Sequence, residues 1–147
     1  MALDYGRRRI GVAVSDPTRT IATPRGIIER STPKDARDPT VPPDALVTLV
    51  RELRPSVVVV GIPVSMDGTE GEMALEARAF ASRLEEATGV PTTGWDERLT
   101  TARAEREIRA LGLRRSRRLE KGRSDEMAAT LMLTEYLRST RRDEEGA

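Results

Sequence analysis

Four acidic residues of this sequence lie at the ends of apolar runs, where a charge is costly to bury. Asp4 ends the first run, and Asp96 and Glu97 follow another. Asp125 starts an apolar repeat at helical spacing that continues to Tyr136, which places the acid on the apolar stripe of a predicted helix. A lone buried carboxylate is unfavourable unless a cation or a hydrogen-bond donor compensates it. If the strand ends adjoin the start of that helix, three or four carboxylates meet at one point.

Metal-dependent hydrolysis is the chemistry that such a cluster favours. The chain has no histidine and no cysteine, so it lacks the usual general base, the usual thiol nucleophile and the usual zinc ligands. Carboxylate oxygens are the ligands that Mg²⁺ and Mn²⁺ prefer, and two such ions about 4 Å apart stabilise the attacking and leaving oxygens of a phosphodiester. Water would then be the nucleophile. Each acid also has an ordinary interpretation, as a turn residue, a strand exit or a helix N-terminal charge.

Strands and helices in a defined order must position these acids. Apolar runs and turn residues predict strands at 1–4, 9–15, 20–28, 57–62 and 90–95. Helical spacing and end signals predict helices at 45–53, 72–88, 100–111 and 124–137. The first three strands follow one another through short turns, which predicts an antiparallel meander. The predicted order is βββαβαβαα in a single domain, 1–147.

Composition excludes several classes of protein. With 37% hydrophobic and 33% charged residues, the chain fits a globular domain, and its apolar runs are too short to span a bilayer. The N-terminus lacks a basic and then apolar leader, and the absence of cysteine removes disulfides and thiolate metal sites. We therefore expect a cytoplasmic protein with no membrane partner.

Positive charge is concentrated in one region of a chain whose net charge is only +1. Between Arg98 and Arg123, ten basic residues accompany three acidic ones, a local charge of +7. The segment 113–123 predicts a basic loop between the acidic blocks, at the rim of the predicted site. We expect it to hold nucleic-acid phosphates. The candidate contacts are Arg114, Arg115, Arg117, Arg118, Lys121 and Arg123.

A glycine-bearing turn before the helix at 72–88 is a second candidate phosphate contact. Gly68 and Thr69 lie in this turn, whose backbone N–H groups could approach a phosphate. The same residues also form an ordinary Asp-Gly turn. Aromatic residues make up only 3% of the chain, which favours recognition of backbone and shape over base stacking.

Four blocks of the sequence, taken in order, resemble those of one family. They read DYGRRRIGVAVSD, VVVVGIPVSMDGTEG, DERLTT and LGLRRSRRLEKGRSDEMAATLMLTEYL. In these blocks the chain is similar to the YqgF/RuvX family, whose members are identified as Holliday junction resolvases and as nucleases that process the 5′ end of pre-16S ribosomal RNA. The resemblance implies an α/β, RNase H-like fold with a five-stranded mixed sheet, three antiparallel strands and then parallel strands, flanked by helices.

The same resemblance implies a divalent-metal nuclease centre. By position in the blocks, the catalytic and metal-binding acids are Asp4, Glu97 and Asp125, and Asp96 is a further candidate ligand. The implied cofactor is Mg²⁺ or Mn²⁺, and the implied partner is a nucleic acid, either a structured RNA or a branched DNA.

Three functions stay open on the sequence alone. The first is a nuclease that processes pre-16S rRNA. The second is a Holliday junction resolvase, which would need a two-fold dimer to place two sites on one four-way junction; the chain is therefore expected to be a monomer or a homodimer. The third is a non-catalytic nucleic-acid-binding module, and the retention of every acid of the family pattern counts against it.

Overall fold

The computed structural model of the chain describes residues 1–30, 37–100 and 117–146. Within these ranges the strands are β1 (Ala2–Asp4), β2 (Arg9–Ser15), β3 (Ala22–Glu29), β4 (Val58–Ile62) and β5 (Thr92–Asp96). The helices are α1 (Asp44–Leu53), α2 (Glu72–Thr88) and α3 (Arg117–Gly146), and a 3₁₀ turn, Glu97–Leu99, follows β5. The predicted helix at 100–111 lies, apart from its first residue, outside the described residues. None of the helices in the described ranges is both long enough and apolar enough to cross a membrane.

The five strands form one mixed sheet in the order β3-β2-β1-β4-β5. β2 pairs antiparallel with both β1 and β3. β4 pairs parallel with β1, and β5 pairs parallel with β4. The predicted antiparallel meander and the mixed sheet are confirmed, and β1 is the central strand.

Side chains of β1 alternate between two cores. Leu3 packs on one face of the sheet, in the larger core, with Phe80 of α2. Ala2 packs on the opposite face, in a second core, with Met132 of α3. Because successive side chains of a strand point to opposite faces, Asp4 lies on the same face as Ala2. The central strand therefore directs its acid toward α3.

Local interactions account for the strand bounds that differ from those predicted. The Asp16 carboxylate accepts hydrogen bonds from the amides of Thr20 and Ile21, both at 2.8 Å. These two residues close a turn, so β3 begins at Ala22 and not at residue 20. β5 begins at Thr92 and not at residue 90, directly after a proline, which has no N–H to donate to the sheet.

The predicted basic loop at 113–123 is wrong for the part that the structure describes. α3 begins at Arg117 and not at residue 124, and it continues to Gly146, beyond the predicted end at 137. Adding residues to an existing helix does not require a new helix nucleus, whose formation is costly. This charged stretch can therefore continue α3 although it has no apolar stripe of its own. Asp125 therefore lies more than two turns inside the helix and does not open it. The backbone is helical at Arg117, Arg118, Lys121 and Arg123, whereas Arg114 and Arg115 lie outside the described residues.

Candidate active site

Asp4 and Asp125 meet because a glycine allows α3 to approach the sheet closely. Asp4 pairs with Gly11 across the β1–β2 ladder. A Cβ atom at Gly11 would lie 3.0 Å from the amide nitrogen of Glu126 and closer still to the carbonyl group of Asp125. The backbone of α3 thus covers the strand position beside Asp4, and a side-chain hydrogen bond joins the carboxyl groups of Asp4 and Asp125.

Glu97 reaches the same point over a second glycine. A Cβ atom at Gly61, in β4, would lie 2.6 Å from Glu97 Oε1 and 2.6 Å from Met132 Cε. Gly61 is one position beyond the β1–β4 pair of Leu3 and Val60, which places it beside the acid of β1. Each strand next to β1 therefore carries a glycine that is covered by one of the other two acids.

Glu97 and Asp125 are close enough to Asp4 for their charges to affect its pKa. Burial raises the pKa of Asp4 well above its usual range, and the charges of Glu97 and Asp125 raise it further. Asp4 keeps some contact with solvent, yet burial is still the largest cause of its shift. Burial also raises the pKa of Glu97, and the charge of Asp96 adds to this rise. The structure thus brings together the three acids that the sequence singled out.

Arg9 brings a positive charge to this cluster, and sequence reasoning missed it. Its Nε lies 3.5 Å from Asp125 Oδ2, and the two side chains are only 18% and 25% exposed. Among the described residues, no three His, Cys, Asp or Glu side chains are already spaced to hold a metal ion. The charges of Glu97 and Asp125 therefore affect Asp4, but the three side chains are not yet arranged as the ligands of one metal ion.

Asp96, the fourth candidate ligand, is engaged by Arg98. Arg98 Nε lies 3.1 and 3.0 Å from the two carboxylate oxygens, Nη2 lies 2.7 Å from Oδ2, and the Arg98 amide donates to Oδ1 at 2.9 Å. Hydrogen bonds from the Arg98 side chain are the largest cause of the lowered pKa of Asp96. A carboxylate with this many donors has little capacity left for a metal, which makes Asp96 a weaker candidate than the other three acids.

In the turn that contains Gly68 and Thr69, the backbone amides of both residues donate hydrogen bonds within the turn. Gly68 N donates to the carbonyl of Ser65 at 2.8 Å, and Thr69 N donates to Asp67 Oδ1 at 3.0 Å. Arg98 Nη1 also donates to the carbonyl of Ser65, at 3.4 Å, so the turn is tied to the end of β5. The contact of Gly68 and Thr69 with a phosphate stays a prediction, and a phosphate there would have to compete with these hydrogen bonds.

Comparison with known proteins decides the family. A family model described as "RuvX: Holliday junction resolvase" matches residues 1–139. The chain belongs to the RuvX family. The resemblance carried by the four sequence blocks is thereby confirmed.

Two relatives of this RuvX-family chain are similar to it over almost their whole length. A protein of Roseiflexus sp. (strain RS-1) is 39% identical over 141 residues, which cover 96% of this chain and 94% of the relative. A protein of Anaeromyxobacter sp. (strain K) is 40% identical over 138 residues, which cover 93% and 94%. Both are named as candidate pre-16S rRNA nucleases.

The fold of this family member is similar to that of solved RuvC structures. One is T. thermophilus RuvC in complex with a Holliday junction substrate, with a TM-score of 0.58, 17% identity, and coverage of 95% of this chain and 93% of that one. A second Thermus thermophilus RuvC structure has a TM-score of 0.54 at 16% identity, with the same coverage. The predicted RNase H-like fold is confirmed.

A polar network around the buried carboxylate of Glu76 in this RuvX-family chain holds the turn that follows Asp4. The hydroxyl group of Tyr5 donates to Glu76 Oε1 at 2.5 Å, and Arg7 donates to both Glu76 oxygens, at 3.1 Å from Nε and 2.7 Å from Nη2. Arg30, which is 5% exposed, donates to the carbonyl of Gly6 at 2.8 Å. Donors to a carboxylate and to a backbone carbonyl thus fix the chain at the end of β1, and with it the position of the central acid.

The buried carboxyl group of Asp4 should lower the stability of the metal-free protein at neutral pH, and this loss of stability should disappear when the pH is lowered. Its folded pKa lies above its unfolded value of 3.8. The native state therefore binds more protons than the unfolded state as pH rises from that value through the folded pKa, and stability falls over this window. Asp4→Asn is neutral at every pH and its amide can still donate to Asp125. We expect this variant to be about 1–2 kcal/mol more stable than the wild type near pH 8.

The measurement is urea unfolding of both proteins in a chelating buffer, from acid to alkaline pH. The stability difference should close as pH falls below the folded pKa of Asp4. Taking the difference between the proteins cancels other titrating groups, such as the N-terminal amine, whose pKa is lowered by burial to about 6. If Asp4→Asn is instead less stable than the wild type near pH 8, the acid supports the fold and the expectation is wrong.

Proposed function

We propose that this chain is a divalent-metal-dependent nuclease that hydrolyses phosphodiester bonds and processes the 5′ end of pre-16S rRNA. The observation that carries the proposal is the convergence of three carboxylates, from β1, the 3₁₀ turn and α3, over two glycines of the sheet. Membership of the RuvX family supports nuclease chemistry. The names of the relatives support ribosomal RNA as the substrate.

The donor set fits a hard divalent cation such as Mg²⁺ or Mn²⁺. Asp4, Glu97 and Asp125 offer only carboxylate oxygens, the ligands that these ions prefer. The repulsion that raises the pKa of Asp4 is also what a bound cation would relieve. When bound, such an ion polarises a phosphoryl oxygen and lowers the pKa of a water molecule.

The chain's own residues have separate tasks in this proposal. The raised pKa of Asp4 favours a proton shared with Asp125, and that proton would leave to solvent before the oxygens of Asp4 could serve as ligands. Asp125 and Glu97 then complete the set from opposite sides of β1. Asp96 keeps Arg98 at the rim of the site, where it holds the turn at Ser65.

Basic residues would place the substrate and would not take part in the chemistry. Residues 117–123 continue the helix that carries Asp125, so phosphates bound there would lie along the same element as the acid. We propose that this segment holds the strand beside the scissile bond. The basic residues of this segment are Arg117, Arg118, Lys121 and Arg123. The phosphate contacts of Arg114 and Arg115, which precede it, stay predictions from the sequence.

Resolution of four-way DNA junctions is the second candidate function. It is favoured by the description of the family model and by the similarity of the fold to RuvC. This activity would need two sites on one junction and hence a homodimer. Whether the chain is a monomer or a homodimer, and whether it acts in the cytoplasm, stay predictions.

A cleavage assay with both substrates side by side tests the proposal. The wild-type chain is incubated with a 5′-extended 16S rRNA precursor fragment, with a four-way DNA junction and with linear duplexes of matched sequence, in Mg²⁺, Mn²⁺ or a chelator. We expect the precursor to be cut at least about tenfold faster than the junction, and no cleavage in chelator. Faster cleavage of the junction would assign the second function. No cleavage of either substrate with either ion would contradict nuclease activity.

A further inference from the structure

We propose that the positive charge of Arg9 pairs with Asp125 in the metal-free protein and competes with a divalent cation for that carboxylate. Arg9 thereby weakens the affinity of the site for the cation. This inference rests on the metal dependence proposed above. One residue of β2 would thus set the affinity of the three acids for a divalent cation.

The position of Arg9 in the sheet accounts for its contact with Asp125. Arg9 is two residues before Gly11 in β2, so both positions belong to the same face of the strand. That face is covered by α3, whose backbone at Asp125 lies directly over Gly11. Arg9 Nε consequently lies 3.5 Å from Asp125 Oδ2, in surroundings that leave the two side chains 18% and 25% exposed.

A guanidinium group and a divalent cation that approach the same carboxylate repel each other. Partial burial reduces the screening that solvent would provide. Binding of a divalent cation at Asp125 should therefore weaken the contact of Arg9 with that carboxylate. Removing the charge of Arg9 should strengthen the binding of a divalent ion, although the same change removes an ion pair that stabilises the metal-free protein.

Arg8 provides a matched control for Arg9. It is the neighbouring residue, and it is exposed. Arg8→Gln and Arg9→Gln change the net charge equally, so any difference between them reflects the local contact with Asp125. Arg9→Lys keeps the charge and tests whether charge is what matters.

The experiment is calorimetric titration of Mn²⁺ into the full chain without nucleic acid. Arg9→Gln should bind Mn²⁺ about tenfold more tightly than the wild type, because a cation beside the site has been removed. Arg8→Gln and Arg9→Lys should stay within about twofold of the wild type. In thermal unfolding, Arg9→Gln should melt below Arg8→Gln in chelator and should show the larger rise in melting temperature at saturating Mn²⁺.

The outcomes separate this inference from the proposed function. Equal or weaker Mn²⁺ binding by Arg9→Gln, in a wild type that does bind the ion, would overturn the role of Arg9 and leave metal dependence intact. If neither the wild type nor Arg9→Gln binds Mn²⁺, the proposed metal dependence fails and the inference fails with it. A lower melting temperature that Mn²⁺ does not restore would mean that Arg9 is only structural.

Discussion

Asp4→Asn, Glu97→Gln and Asp125→Asn should each slow metal-dependent cleavage by about 100-fold or more, whereas Asp96→Asn should slow it by less than about fivefold. Charge stabilisation by a bound metal ion is worth several kcal/mol, and each 1.36 kcal/mol is about tenfold in rate. Loss of one carboxylate from a set of three removes part of that stabilisation. Asp96 pairs instead with Arg98, in a salt bridge whose side chains are 28% and 37% exposed, so its loss should have a small effect.

The measurement is the single-turnover rate at saturating substrate, with circular dichroism of each variant to verify the fold. Asp96→Asn is the matched control because it removes one acid of the same region and leaves the other three carboxyl groups in place. Full activity in any of the three main variants would remove that residue from the site. A loss in Asp96→Asn as large as that in Glu97→Gln would make Asp96 a ligand, and its pairing with Arg98 would then not keep it from the metal.

Gly11→Ala should both destabilise the protein and disrupt the acid centre. The added Cβ would overlap the backbone of α3 at Asp125 and Glu126, and backbone cannot move aside as the end of a flexible side chain can. We expect a loss of about 3 kcal/mol, near the upper end of ordinary overpacking costs. Because α3 must shift at the residue that carries the acid, Mn²⁺ affinity should fall as well.

Gly71→Ala is the control for this substitution. Gly71 has a φ of −81°, and an added Cβ would meet nothing within 4 Å, so this variant should remain within about 1 kcal/mol of the wild type. Urea unfolding and Mn²⁺ titration are measured on both proteins. If Gly11→Ala does not fold, Gly61→Ala gives the second test. The atoms nearest to its Cβ would belong to the side chains of Glu97 and Met132 and not to backbone, so this substitution should disturb the site more than the fold. Unchanged stability and metal binding in both glycine variants would show that the close approach is not required.

Two acids of the candidate site, Asp4 and Asp125, could be singled out from the sequence because each is an exception to a strong apolar pattern, whereas Glu97 was chosen through the family resemblance. Asp4 and Asp125 interrupt periodicities that otherwise mark buried faces, and such an exception is visible without a structure. Gly11 and Gly61 could not be assigned in the same way. A glycine in a strand indicates a close approach of some kind, but which element approaches depends on tertiary packing.

Two other features escaped prediction for related physical reasons. Arg9 stands in a run of three arginines, and nothing local distinguishes the one that turns toward α3 from its exposed neighbour. The sequence pattern predicts that α3 starts at 124, because the preceding residues are charged and lack an apolar stripe. Helix continuation does not need such a stripe once the packed part of the helix exists.

The helical state of residues 117–123 changes the entropy of substrate binding. A flexible loop would have to be ordered when it takes up phosphates, at about 1–2 kcal/mol for each backbone residue that becomes fixed. In this chain the backbone of 117–123 is already ordered by the fold, as part of the same helix as Asp125. The attraction between its basic residues and a polyanion therefore need not offset a backbone ordering cost over this stretch. Affinity there would depend on charge and salt far more than on any disorder-to-order transition.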